Sequence, residues 1–339
     1  MSEHDETHVS GDDSEGERET LTPGSTLGPY RVLRSIGKGG MGDVYLAEQE
    51  KPFRRLAAVK TIRHGMDTAR VLARFAYERQ ALALMEHPNV ARVFGAGTTE
   101  SGRPYFAMEY VDGPTITAYC DDHALTLTTR LELFLQCCAG VQHAHAKGII
   151  HRDLKPTNVL VPEVDGRPLV KIIDFGIARA IDPRLREDGT LTEVGQVVGT
   201  PAYMSPEQAD PMSVDVDTRS DVYSAGAILY ELLCGVVPIE IDEMRRLAFD
   251  VMLRHLREVD PQRPSARLTT SGSRSTIADR RRTDADRLIR ALRGDLDVIA
   301  MKALERDRSR RYGSMRELAE DVERFLRSEP IHARPRSRV

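Results

Sequence analysis

At 339 residues the chain is too long for one small core and fits a two-lobed unit of about 270 residues with tails. Its composition, 40% apolar and 29% charged, is that of a soluble globular protein, and a net charge of −4 gives no global electrostatic case for nucleic acid. The cysteines Cys120, Cys137, Cys138 and Cys234 lack metal-ligand spacing and read as reduced thiols of a cytosolic protein.

Residues 1–28 are acidic and hydrophilic, without the basic-then-apolar order of a secretory signal. They carry too little apolar surface to offset the entropy of ordering, so a disordered tail is expected. Alternation in Tyr30, Val32 and Leu33, then Val44 and Leu46, predicts two strands around a glycine-rich turn, and residues 56–62 continue as a third. Residues 68–87 place Val71, Leu72, Phe75, Leu82 and Met85 at helical spacing, and Pro88 stops that helix. Two more strands follow, "VARVFGAG" and "YFAMEYV", so that 29–111 form a small sheet with one helix.

Beyond Asp112-Gly113-Pro114 the pattern turns helical. A long helix over 127–148 is closed by Gly148, and helices dominate from 218 to 328. The apolar run 223–239 is interrupted by Ser224 and Glu231 and is shorter than the roughly 20 residues of a membrane span, so it reads as a buried helix. The polar, Arg-rich, Pro-containing stretch 260–285 reads as an exposed loop. The Arg-rich 280–293 stretch reads as a solvated helix surface in preference to a nucleic-acid-binding one.

Four places carry unusual chemistry. Gly37, Gly39 and Gly42 sit between two strands, where backbone N–H groups could approach a phosphate chain, although on its own such a hairpin is more often only a turn. Lys60 interrupts an apolar strand and Glu78 interrupts the apolar stripe of the next helix; one ion pair would answer both, while Lys60 alone would suit the solvent face of an edge strand. Asp174 ends an apolar strand before Gly176, a place to hold a metal or a common Asp-x-Gly turn. Between the runs Ile149-Ile150 and Val159-Leu160-Val161, read as strand ends, one loop crowds together His151, Arg152, Asp153, Lys155 and Asn158.

Taken in order, these motifs resemble the protein kinase family. The sequence has Gly37-Lys38-Gly39-Gly40-Met41-Gly42-Asp43-Val44, Ala58-Val59-Lys60, Glu78, His151-Arg152-Asp153 with Asn158, Asp174-Phe175-Gly176, and Ser205-Pro206-Glu207, with Asp221 and Arg311 matching later features. The style resembles bacterial Ser/Thr kinases of the eukaryotic (Hanks) type. The resemblance implies an α+β, two-lobed fold: an N-lobe of antiparallel sheet plus one helix over about 29–111 and a larger, mainly helical C-lobe over about 112–328, followed by a basic tail over 329–339.

It also implies roles. The loop from Ile36 to Gly42, with Lys38, Gly40 and Met41, would cover the phosphates of ATP, and Lys60, held by Glu78, would pair with the α- and β-phosphates. Val44, Ala58 and Leu160 would enclose adenine, which would bond the backbone of Glu109 and Val111, with Met108 as gatekeeper. Asn158 and Asp174 would hold Mg²⁺, for which Mn²⁺ could substitute; Asp153 would orient the substrate hydroxyl and Lys155 would offset charge. His151, Phe175, Leu82 and Val93 would stack into a column anchored by Asp221, Glu207 would pair with Arg311, and Thr200 would bond near Asp153.

The expected partners are ATP and proteins bearing Ser or Thr, with a transient homodimer for autophosphorylation, no nucleic acid and no membrane span, in the cytoplasm. Thr157 stands where many basophilic kinases carry Glu, so a strong preference for arginine before the target is not supported. Arg152 beside the catalytic acid suggests a phosphate arriving on the loop from 174 to 207, with Thr190 and Thr192 as candidates against the alternative that both are ordinary loop threonines.

Overall fold

Six antiparallel strands make the N-terminal sheet of the computed structural model, which describes residues 21–39, 42–62, 85–175, 201–210, 216–240 and 249–334. They are β1 (Thr26–Leu27), β2 (Tyr30–Gly39), β3 (Gly42–Gln49), β4 (Arg55–Thr61), β5 (Val93–Thr98) and β6 (Pro104–Glu109), in the spatial order β1-β2-β3-β4-β6-β5. The period-2 alternation of β4 sorts its neighbours onto two faces. Ala57 and Val59 join Tyr45, Ala47, Tyr105 and Ala107 in one apolar cluster, whereas Ala58 joins Phe106 and Met108, with Ile36 and Val44 against them, in another. Lys60, opposite Val44 on one side and Phe106 on the other, belongs to the second face.

The C-terminal part is built on helix α1 (Ile116–Asp122), α2 (Leu127–Ala146) and α3 (Thr218–Cys234), then α4 (Phe249–Glu258), α5 (Pro264–Thr270), α6 (Arg274–Asp279), α7 (Ala285–Leu292), α8 (Asp295–Ala303) and α9 (Met315–Leu326). Helix α3 starts where the Asp217 side chain accepts the Arg219 N–H at 2.8 Å and ends at Gly235, whose φ of 74° only glycine adopts without penalty. Every residue from Ser220 to Tyr230 is buried, so the helix is enclosed around its whole circumference and forms the centre of the large core. Helix α2 closes as its sequence indicated: Gly148 takes φ 75° and the Ile149 N–H reaches back to the Ala144 carbonyl at 3.0 Å. Short antiparallel pairs, β7 (Val159–Leu160) with β10 (Lys171–Ile172) and β8 (Glu163–Val164) with β9 (Arg167–Pro168), lie between α2 and the later helices.

Several expectations need correction. Ile149-Ile150 forms no strand, because the chain there is still unwinding from the α2 cap, and the second strand stops at Leu160 rather than Val161. The stretch 260–285 is not an exposed loop: it contains α5 and α6, and Arg281 is buried. Packing also continues past residue 328, since Ile331 is buried and the Asp321 carboxylate accepts the His332 and Ala333 N–H groups at 2.6 and 2.9 Å. The helix expected over 68–87, with Glu78 and Leu82, lies mostly outside the described residues; Met85 within it is buried. Among the described residues no helix is long and apolar enough to cross a membrane.

Candidate active site

The loop after α2 is held from beneath by Asp221 in the first turn of α3. Fully buried, its carboxylate accepts the His151 N–H at 2.7 Å, the Arg152 N–H at 2.8 Å and the His145 ring Nε2 at 2.7 Å. Three donors satisfy a desolvated carboxylate, and they hold Arg152 at φ 64°, a conformation that costs a non-glycine residue free energy. His151 is buried, its ring bonds the Ile173 carbonyl at 3.1 Å and lies 4.7 Å from the Phe175 ring. Of the expected apolar column, the His151–Phe175 contact is seen; Val93 is partly buried against the same large core, and Leu82 lies outside the described residues.

On this support the loop presents Asp153, whose side chain is 42% exposed. Lys155 Nζ lies 2.8 Å from Asp153 Oδ2, and Asn158 Nδ2 donates to the Asp153 carbonyl at 2.8 Å and to Oδ2 at 3.3 Å. Pro156 opens the single turn of tight helix that brings Asn158 back toward Asp153. The β7–β10 register, Val159 opposite Ile172, then puts Asn158 and Asp174 at the same end of that ribbon, where the Ile173 N–H bonds the Asn158 carbonyl at 2.9 Å.

Asp174 has φ 58° and meets Lys60, whose Nζ is 2.6 and 2.5 Å from the two carboxylate oxygens. The lysine of the sheet and the acid of the large lobe are therefore in contact across the cleft. Glu78, the partner expected for Lys60, lies outside the described residues. The donor set beside this pair, a carboxylate and an amide oxygen, suits a hard divalent cation that takes its other ligands from phosphate and water. Asn158 fits that use, because its Nδ2 is committed to Asp153 and its oxygen remains for a metal.

Above the loop, Ile36, Val44, Ala58 and Met108 gather on the Lys60 face of the sheet, and Leu160 of β7 is half-buried. The Glu109 side chain is engaged elsewhere: Lys171 Nζ sits 2.9 Å from its carboxylate, which also accepts the Arg92 N–H at 3.1 Å. Any contact of Glu109 with a base therefore falls to its backbone, as it does for Val111 next to it.

The glycines of the β2–β3 hairpin differ in what they are for. At Gly42, with φ 151°, a Cβ would run into the Thr61 carbonyl oxygen. At Gly37 an added Cβ would meet only Val44, at an ordinary 3.7 Å. The fold thus demands glycine at 42 and does not at 37. Lys38 and Gly39 continue the hairpin opposite Asp43 and Gly42, while Gly40 and Met41 lie outside the described residues.

Glu207 pairs with Arg311 through two bonds of 2.7 Å and accepts the Ser220 hydroxyl at 2.6 Å. Burial pushes its carboxyl pKa up, but the Arg311 hydrogen bonds and charge outweigh burial and leave it below the ordinary value. Sequence reasoning missed Gln208, whose Nε2 donates to the Arg152 carbonyl at 2.6 Å and whose Oε1 accepts from Ser205. Its position directly after Ser-Pro-Glu was the available signal. His145, the third donor to Asp221, was missed as well. Thr190, Thr192, Thr200 and Gly176 lie outside the described residues.

Two lobes that meet at a lysine, an aspartate and a short acid-bearing loop define a phosphotransferase of the protein-kinase type. The chain belongs to the protein kinase family: it matches the family described as "Protein kinase domain" over residues 30–321. It is 35% identical to the serine/threonine-protein kinase PknB of Mycobacterium tuberculosis over 319 residues, 92% of this chain and 45% of that protein. It is 38% identical to the serine/threonine-protein kinase pkn3 of Myxococcus xanthus over 266 residues, 76% of this chain and 47% of that protein. The chain thus spans about half the length of these relatives. A crystal structure of the Mycobacterium tuberculosis PknI kinase domain, as a double mutant, superposes with a TM-score of 0.64 at 25% identity, covering 91% of this chain and 99% of that one. The curated relatives it matches are bacterial serine/threonine-protein kinases.

Proposed function

We propose that this chain transfers the γ-phosphoryl group of Mg²⁺-bound ATP to Ser and Thr hydroxyls of proteins, its own included. The observation that carries this reading is the half-exposed Asp153 carboxylate set between Lys155 and Asn158 on a loop fixed by Asp221, with the Lys60–Asp174 contact beside it. Asp153 accepts a hydrogen bond from the substrate hydroxyl and aims its oxygen; Lys155 offsets the charge that develops on the transferring group. Asn158 and Asp174 hold the metal, which when bound neutralises phosphate charge; Mn²⁺, with similar oxygen preferences, is expected to substitute. Lys60, now against Asp174, exchanges that partner for the phosphates when the nucleotide enters.

Adenine lies between the Ile36, Val44, Ala58 and Met108 side chains above and Leu160 below, bonded to the backbone of Glu109 and Val111. The Arg152 Nε, buried and without a partner among the described residues, supports a phosphate-dependent ordering of the loop after Asp174, with Thr190 and Thr192 as acceptors reached in a transient homodimer. ATP supply places the work in the cytoplasm. The test is incubation of the purified chain with Mg²⁺, labelled ATP and a generic protein substrate, beside Asp153→Asn. Label on Ser and Thr in the parent and a loss of about 10²- to 10⁴-fold in the variant are expected. Equal labelling by both, or none by either despite ATP binding, would overturn the reading.

A further inference from the structure

We propose that a basic pocket behind the hinge is the docking site for the chain's own acidic N-terminal segment, residues 1–20. The pocket, of about 560 Å³, lies where β4, β5, the end of β6 and β10 meet, and Arg55, Arg92, Phe94, Glu109 and Lys171 line it. It opens on the sheet face turned away from Lys60: Phe94 packs against the cluster of Tyr45, Val59 and Tyr105, and Arg55 shares the alternation of Ala57 and Val59.

Its charges are unevenly compensated. Glu109 is already neutralised by Lys171, which removes both from the balance. The Arg55 guanidinium stacks 3.6 Å above the Phe94 ring and its Nε donates to the neutral Gln49 side chain. The Arg92 guanidinium is exposed and has no partner among the described residues. Against these two cations the pocket sets one remaining carboxylate, Glu86. An arginine plane on an aromatic ring beside a second free guanidinium is a receptor for carboxylates arriving on an extended chain.

The chain carries such a ligand. Residues 1–20 hold Glu3, Asp5, Glu6, Asp12, Asp13, Glu15, Glu17 and Glu19 against Arg18 alone, so that the rest of the protein is net positive. The segment joins the fold on the correct side: Leu21 packs against the same cluster as Phe94, and its N–H donates to the Tyr45 hydroxyl at 3.3 Å. At roughly 3.3 Å per residue, twenty extended residues reach about 65 Å, more than the width of a small lobe. Tethering keeps the effective concentration high, so that individually weak ion pairs suffice.

The test needs no kinase activity. Because all native cysteines are buried, Ser10→Cys supplies a single accessible thiol for a fluorescent label. In the parent, the label's local rotation is expected to be slow and independent of protein concentration. In Arg55→Glu/Arg92→Glu, or in about 0.5 M salt, where the screening length shrinks to a few Å, the rotation should quicken about threefold. Arg287→Glu/Arg290→Glu on the exposed side of α7 should leave it unchanged. Arg92→Gln, at an exposed and unpartnered position, should act in the same direction as the double reversal even if the latter disturbs folding. Fast rotation in the parent, or slow rotation that survives both Arg92→Gln and the double reversal, would overturn the proposal. Slow rotation lost on dilution would place the segment on a second copy instead.

Discussion

The Asp221 carboxylate holds the Arg152 N–H at 2.8 Å, and through it the turn that presents Asp153 one residue later. Its other oxygen takes the His151 N–H, so both acceptors of one side chain fix two successive peptides. Asp221→Asn keeps the size but turns one acceptor into an NH₂ facing an N–H donor. The expected cost is about 1–3 kcal/mol in stability. Misplacing Asp153 should lower kcat roughly 10- to 100-fold. The KM for ATP, set by groups on the other side of the cleft, should change little. Steady-state kinetics together with a thermal melt separate the two effects; a raised KM with unchanged kcat would contradict them.

The two described ends of the glycine loop make a contrasting pair. Gly42→Ala forces a side chain into the Thr61 carbonyl at φ 151° and should destabilise the small lobe. Gly37→Ala meets only ordinary contact with Val44, so its folding should be unchanged. If backbone approach to phosphate is the reason for glycine at 37, the KM for ATP should nonetheless rise several-fold, by about 1 kcal/mol of binding free energy. Thermal melts and nucleotide titrations on the two variants check this; equal melting losses would show that both glycines serve the fold.

What could be read from the sequence was whatever is locally periodic or locally odd. The strand alternation of Tyr30 and Val32 and of Val44 and Leu46, the Gly148 cap and the crowding of 151–158 all carry their signal within a few residues. The identity of Lys60's observed partner did not: Asp174 lies 114 residues away, and Glu78 was the nearer anomaly. Nor could burial of Arg130 or Arg281 be read, because an arginine whose guanidinium binds carbonyls of distant helices looks, along the chain, like one in solvent. The stretch 260–285 was misread for that reason, its polar residues concealing two short helices.

Arg281 itself supplies the next test. Its guanidinium donates to the carbonyls of Leu232 and Leu233 at 2.8 Å each and of Ile277 at 2.9 Å, which satisfies the open C-terminal end of α3 with a cation where the helix dipole favours one. Burial, then the nearby Arg130 charge, pull its pKa down to about 10, still charged at neutral pH. Arg281→Met leaves several buried carbonyls without donors and should cost about 2–4 kcal/mol in urea unfolding. Arg281→Lys keeps the charge but not the planar fork, and should recover only part of the loss. A Lys variant as stable as the parent would mean that charge alone suffices.

Glu207 and Arg311 allow a test with a defined sign in pH. Arg311 is buried and also donates to the carbonyls of Glu305, Arg306 and Arg219, so Glu207→Gln does not strip it of every partner. The loss should therefore sit near the low end for a broken buried pair, about 3 kcal/mol at neutral pH. Because the folded pKa of Glu207 lies below its ordinary value of 4.5, the native state favours the ionised form. Its contribution is complete above that value and is lost as pH falls through the folded pKa beneath it. The parent should thus lose stability below about pH 4.5 more steeply than Glu207→Gln, which has no proton to take up at that site. Urea unfolding of both proteins from pH 7 downward measures this, and parallel curves would contradict the depressed pKa. Arg311→Met added to Glu207→Gln should cost less than the two single losses together, since the first change has already removed the partner that the second would strand.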